Sequence, residues 1–215
     1  MKEVLFDYGR AARIGLPEAV LCEGKPVETV LSLLKEFAEP DVQPVLFTRL
    51  DPSVLAALPG EASSRIDYHP LSRTAWRATM PARPGQVAVV SAGTADGRVT
   101  WEAARTLTYL GIASTVFEDC GVAGLWRLVD RLEAINEADV VIVVAGLDAA
   151  LASVLGALTP KPVLAVPTSV GYGMAQDGLA AIQSMLVSCA PGVAVLNVDN
   201  GYGAACAAAR ILGPA

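Results

Sequence analysis

The sequence predicts an α/β protein built on a parallel sheet with helices on both faces. Two observations carry that prediction. In the second half of the chain, short valine-rich runs alternate with helical stretches. Those runs are apolar along nearly their whole length, as strands buried on both faces must be. A third observation adds function: four of the runs end in turns rich in glycine and small polar residues.

The elements follow in order. Residues 19–22 form a short strand, and 26–37 an amphipathic helix with Val27, Val30, Leu31, Leu33 and Leu34 on one side and proline at its first turn. A strand at 45–48 and a helix at 51–58 come next, then a loop over 59–70. Residues 80–85 (MPARPG) read as a boundary between an N-terminal α/β segment, 1–80, and a larger unit, 81–215. In that unit the strands are 86–91, 114–117, 139–145, 162–166 and 193–198. Helices fall at 99–110, 124–137, 149–158, 178–188 and 202–212. The third strand carries no charge after Asp139 and is expected at the centre of the sheet.

Composition bounds the function. The chain has 215 residues, 53% hydrophobic and 18% charged, with a net charge of −6. That acidity argues against a nucleic-acid partner, which needs a basic face. The longest strongly apolar run, VVIVVAGL at 140–147, is far shorter than the roughly 20 residues that span a bilayer. The first residues lack a signal-peptide layout, so a cytoplasmic location is expected. The apolar excess suits subunit interfaces. The cysteines, Cys22, Cys120, Cys189 and Cys206, form no CxxC pair. His69, the lone histidine, rules out a histidine-rich metal site and sits in a proline-bounded loop.

SAGTAD, residues 91–96, follows a strand and opens a helix. Ser91, Gly93 and Thr94 there could bring backbone amides and hydroxyls to an anion. Asp96 could bind a ribose hydroxyl or act simply as a helix cap. AGLD (145–148), PTSVGYG (167–173) and NVDNGYG (197–203) follow later strands in the same way. Ligands in open α/β sheets collect outside the carboxyl ends of the strands. Four such turns on one edge describe a pocket for an anionic small molecule. Cys189, in SCAPG, lies where a helix stops and the last strand begins. A helix returning from the strand ends finishes at the opposite edge. Cys189 could therefore reach the pocket only through a broken helix or from a neighbouring subunit.

SAGTAD, DCGVAGLWRL, VVIVVAGLDAALASVLG, PTSVGYG, SCAPGV, NVDNGYGAA and, near the start, RIGLPEAVLCEGK carry a resemblance. The chain resembles the pyridinium-3,5-biscarboxylic acid mononucleotide synthases of nickel-pincer cofactor biosynthesis, themselves similar to the phosphoribosyl-aminoimidazole carboxylases. The resemblance implies a flavodoxin-like domain and a homo-oligomer, an octamer in expectation, with pockets shared between subunits. It implies carboxylation of the pyridinium ring of nicotinic acid adenine dinucleotide by CO2 or bicarbonate. Hydrolysis of the phosphoanhydride, with Mg2+ as helper, releases AMP. Cys189 takes the nucleophile's position and Asp148 the general base's. Ser91, Gly93, Thr94 and Asp96 would hold phosphate and ribose, with Gly146 beside them. Thr168, Ser169, Tyr172 and Gly173 would line the ring pocket. Asp199 and Asn200 would contact ribose or Mg2+, or cap a helix. Arg13, Glu18 and Lys25 could meet the adenylate half. Three positions depart from the family: Asp148 stands for glutamate, Trp126 for histidine and Gly9 for histidine. Two other readings remain open, a carboxylase or mutase of an aminoimidazole ribonucleotide and a nucleotide-sensing oligomer without turnover.

Overall fold

The computed structural model describes residues 4–213. The N-terminal part holds α1 (Arg10–Ile14), β1 (Ala19–Leu21), α2 (Val27–Phe37), β2 (Leu46–Thr48), α3 (Pro52–Ala56), α4 (Gly60–Ser63), β3 (Asp67–His69) and β4 (Thr74–Trp76). Its sheet runs β1-β2-β4-β3, with β1 and β2 parallel and the other pairs antiparallel. Burial of Val30, Leu33, Leu34 and Phe37 on one side of α2 follows their helical spacing. They pack with Val20, Phe47 and Ala75 from the strands.

The larger part holds β5 (Arg83–Ser91), α5 (Gly97–Tyr109), β6 (Ile112–Phe117), α6 (Trp126–Val129), α7 (Leu132–Asn136) and β7 (Val140–Ala145). It continues with α8 (Ala150–Gly156), β8 (Val163–Pro167), α9 (Leu179–Leu186), β9 (Val193–Val195) and α10 (Gly201–Ile211). The five strands are all parallel in the order β6-β5-β7-β8-β9. Numbered within this unit the order is 2-1-3-4-5, the flavodoxin-like doubly wound arrangement. The third strand is central, as its lack of charge predicts.

Alternation along each strand sorts the core into two layers. Val87, Val89, Val140, Ile142 and Val144 face α5 and α10, whose Ala103, Leu107, Ala204 and Ala208 complete that layer. Ala88, Val90, Val141 and Val143 face the other way, against Leu128, Ile135, Leu151, Leu155 and Met185. Leu46 and Trp76 of the N-terminal sheet join the α5 layer, so α5 packs between the two sheets. Arg105 on α5 stacks over Trp76 at 3.6 Å and pairs with Asp67 at 2.9 Å. The Tyr109 hydroxyl donates to the Pro44 carbonyl at 2.9 Å.

Several sequence expectations change. The loop expected over 59–70 contains α4 and β3. Within the boundary stretch 80–85, β5 begins at Arg83, and Met80 N donates to the Tyr109 carbonyl and Arg83 N to that of Gly111. The helix expected over 124–137 is two short helices. Arg131 sits between them at φ −109° and donates to the Glu118 carbonyl. Among the described residues, no helix is long and apolar enough to cross a membrane.

Candidate functional site

The carboxyl ends of β5 and β7 frame a cavity of about 730 Å³. Its walls are mostly small and apolar: Ala92, Ala95, Val122, Ala149, Val170 and Ala175. Two carboxylates, Asp96 and Asp148, reach it. Small residues here leave room for a ligand, and the backbone supplies shape.

Asp96 is buried, and both of its oxygens are used. Oδ1 accepts from the Thr168 hydroxyl at 2.7 Å and Oδ2 from Gly93 N at 2.9 Å. Its side chain thus reaches back along the turn rather than capping α5. Burial raises its pKa above the usual 3.8, against the pull of the Thr168 hydroxyl and the amides of Gly93 and Gly146. Thr168 is fully buried. The Asp96–Thr168 bond ties the turn after β5 to the turn after β8, beside the cavity. Ser91 is also buried, and its hydroxyl has no hydrogen-bond partner among the described residues.

Gly146 is a positional requirement. A Cβ there would lie 2.3 Å from the Val170 carbonyl oxygen and 2.6 Å from the Thr168 hydroxyl. The turn continues through Leu147 and Ala149, both at positive φ, 54° and 51°. That bent segment carries Asp148 outward to the cavity mouth, where it is exposed. The Asp148 Oδ1 accepts from Ala150 N at 3.3 Å, which leaves most of the carboxylate available. A residue in the left-handed region costs about 1–3 kcal/mol and persists where its surroundings impose it.

The other predicted residues divide. Asp199, at φ 56°, accepts from Ser169 N at 2.9 Å and Ser169 Oγ at 2.7 Å, and pairs with Arg98 at 3.0 Å. Asn200 caps α10 by accepting from Gly203 N. Thr94, Tyr172 and Gly173 are exposed and do not line the cavity. Val170 and Ala175, on either side of Tyr172, do line it. Cys189 lies at the opposite edge of the sheet. Just before it, Ser188 bonds Ser153 of α8 at 2.7 Å, and just after it Ala190 packs near Gly156 at that helix's far end. Within one chain Cys189 therefore sits beside the middle and carboxyl end of α8, whereas Asp148 precedes its amino end. Cys189 is exposed, whereas Cys22 and Cys120 are buried.

Trp126 stands in solvent beside the turn that lines the cavity, and Gly9 precedes α1 away from it. Arg13 pairs with Asp7, Glu18 accepts from Asp7 N, and Lys25 lines a separate cleft. The Mg2+ that the resemblance implies finds no prepared cage. Among the described residues no group of three or more His, Cys, Asp or Glu is placed to hold a metal ion. Asp199 already spends its oxygens on Ser169 and Arg98. Sequence reasoning missed Ala92, Gly121, Val122 and Val170, which carry no chemical signal of their own. For Gly121 a Cβ would meet the Ala92 carbonyl at 2.8 Å, a fact of packing alone.

Comparison with known proteins agrees with this geometry. Residues 86–215 match the AIR carboxylase family, and residues 1–79 match the LarB/PurE-like N-terminal domain. An uncharacterized protein of Methanocaldococcus jannaschii is 43% identical over 122 residues, 56% of this chain and 46% of that protein. The N5-carboxyaminoimidazole ribonucleotide mutase of the same organism is 34% identical over 131 residues, 59% of this chain and 78% of the mutase. The matched segment thus spans about half the length of the first relative. With its parallel sheet, its cavity at the strand ends and a family match over more than half its length, the chain belongs to the AIR carboxylase family.

Proposed function

We propose that this chain is a nucleotide carboxylase. It would act on the pyridinium ring of nicotinic acid adenine dinucleotide and also hydrolyse the phosphoanhydride, giving the 3,5-biscarboxylated mononucleotide and AMP. The observation that carries the reading is Asp148. Its available carboxylate stands at the mouth of a cavity that is also lined by Asp96, itself held by the buried Thr168 hydroxyl. A cavity of this size accommodates a mononucleotide half.

A pyridinium ring is electron-poor and does not attack CO2. Addition of a thiolate para to nitrogen forms a carbon–sulfur bond and leaves an enamine-like dihydropyridine. The adjacent ring carbon then forms a bond to CO2. Asp148 takes the proton from that carbon, and the electron pair re-forms the aromatic ring as the carbon–sulfur bond breaks. No net oxidation occurs. Water attacks phosphorus in the separate hydrolysis, and AMP leaves with the anhydride oxygen.

Cys189 supplies the thiolate in this scheme, from a second copy of the chain, because it does not line the cavity of its own chain. Its neighbours Leu186 and Val187 are 67% and 80% exposed, an apolar surround that suits contact with another subunit.

The test incubates the protein with nicotinic acid adenine dinucleotide, bicarbonate and Mg2+, and follows products by mass spectrometry. One added carboxyl together with AMP is expected. Cys189→Ala and Asp148→Ala should each abolish it. Mixing the two inactive variants before assembly should restore part of the activity, since one mixed site keeps both groups. Binding without turnover would overturn the reading.

A second reading has its own support in the 34% identity to a ribonucleotide mutase. Turnover of an aminoimidazole ribonucleotide, with no reaction of the dinucleotide, would establish it.

A further inference from the structure

We propose a second subsite, in the N-terminal unit, for the phosphate and sugar of a nucleoside monophosphate group. It deepens the dinucleotide reading above, and rests on it for the identity of the ligand.

The N-terminal unit contains its own parallel pair. β1 and β2 are joined by the crossover helix α2, and ligands of such units collect beyond the strands' carboxyl ends. A cavity of about 330 Å³ lies there, lined by Lys25, Arg49 and Arg73 among others. Two carboxylates oppose these three cations. Glu23 pairs with Arg49 at 2.8 Å and Asp51 with Arg73 at 3.5 Å. Lys25 makes no ion pair among the described residues. With Glu102 also 3.8 Å from Arg49, carboxylates match cations in number around the cleft, and Lys25 is the cation left without a partner among the described residues.

The two arginines are fixed in an unusual way. Arg49 and Arg73 both have positive φ, 53° and 55°. Leu50 N donates to the Arg73 carbonyl at 2.8 Å, and Arg73 Nε donates back to the Leu50 carbonyl at 3.1 Å. This reciprocal clamp fixes the Arg73 guanidinium at the rim, while Glu23 and the Asp199 carbonyl fix that of Arg49. Ordinary solvated ion pairs need no such backbone, whereas an oxyanion site gains from donors that are already in place. Valines 27, 30 and 54 give the cleft an apolar wall.

Arg49 is shared with a second cavity of about 360 Å³ between the two units. Glu102, Asn197, Asn200 and Thr48 line it. Glu102 is only 3% exposed, with Oε1 3.8 Å from Arg49 Nε and Oε2 accepting from Tyr202 N. A buried carboxylate and amides suit sugar hydroxyls, as the cations suit phosphate. A phosphorylated sugar would straddle Arg49.

The cleft also connects to the main cavity. Arg49 donates to the Asp199 carbonyl at 2.9 Å. The Asp199 carboxylate holds Ser169, the neighbour of Thr168, and Thr168 holds Asp96. The two halves of a dinucleotide would therefore load two sets of polar contacts that meet at the adjacent residues Thr168 and Ser169.

Calorimetric titration of the full chain tests this with AMP, ribose 5-phosphate, adenosine and inorganic phosphate. AMP and ribose 5-phosphate should bind, with adenosine and inorganic phosphate at least about tenfold weaker. Lys25→Gln should weaken AMP about tenfold, as loss of one charge-assisted contact does, and its exposed, unpaired side chain makes the variant safe for folding. Asp148→Ala should leave AMP affinity unchanged. The subsite is overturned if neither AMP nor ribose 5-phosphate binds at millimolar concentration. It is also overturned if inorganic phosphate binds as well as AMP, or if Lys25→Gln has no effect while Asp96→Asn weakens AMP. Loss of carboxylation with AMP binding intact would instead sink the proposed reaction alone. Carboxylation with an unchanged KM in Lys25→Gln would sink the subsite alone.

Discussion

Asp96 is a carboxylate held where a charge is costly. Burial raises its pKa above 3.8, so the folded protein binds that proton more tightly than the unfolded chain. Its contribution to stability is present below 3.8 and is lost as pH rises through the raised value. Glu102, also buried and raised above its usual 4.5, adds a change of the same sign. Asp96→Asn should flatten the pH dependence of stability above pH 3.8, and Glu102→Gln should flatten it further. Urea unfolding across a pH series measures both, and an unchanged slope in Asp96→Asn would contradict the assignment. The motif around Asp96 was legible as a candidate turn, but its partner was not. Thr168 lies 72 residues away, and no local pattern announces a bond that depends on β5 and β8 flanking β7. Asp148 could be placed near the pocket because it directly follows a strand. The separation of Cys189 from it could be anticipated from helix direction alone.

At the scale of elements, legibility follows length and symmetry of environment. β7 is six fully buried residues in the middle of the sheet, and its unbroken apolar run gives it away. Ile142 packs there with nothing to replace it. Ile142→Ala should cost about 2–5 kcal/mol. Chemical denaturation gives the number, and a loss below 1 kcal/mol would mean that the core closes over the gap. β3 is Asp-Tyr-His, with no apolar run to mark it, and α1 buries no residue at all. The split between α6 and α7 was hidden for another reason. Arg131 reaches the Glu118 carbonyl and the Cys120 sulfur at 3.2 Å, a tertiary pull that overrides helix propensity.

At the scale of the molecule, Leu16, Leu46 and Trp76 belong to the same buried cluster as Val87, Leu107 and Ile142. The N-terminal sheet thus contributes to the larger unit's core. Thermal unfolding should show one cooperative transition rather than two, by calorimetry and circular dichroism together. A chain beginning at residue 81 should precipitate, because the α5 layer would lose Leu46 and Trp76 and stand open to water. Two separated transitions would refute both expectations. The shared core also restricts motion. Halves that share a core through α5 should move as one body, so that admission of a ligand would fall to the turns after β7 and β8, whose Asp148 and Ala175 stand at the cavity.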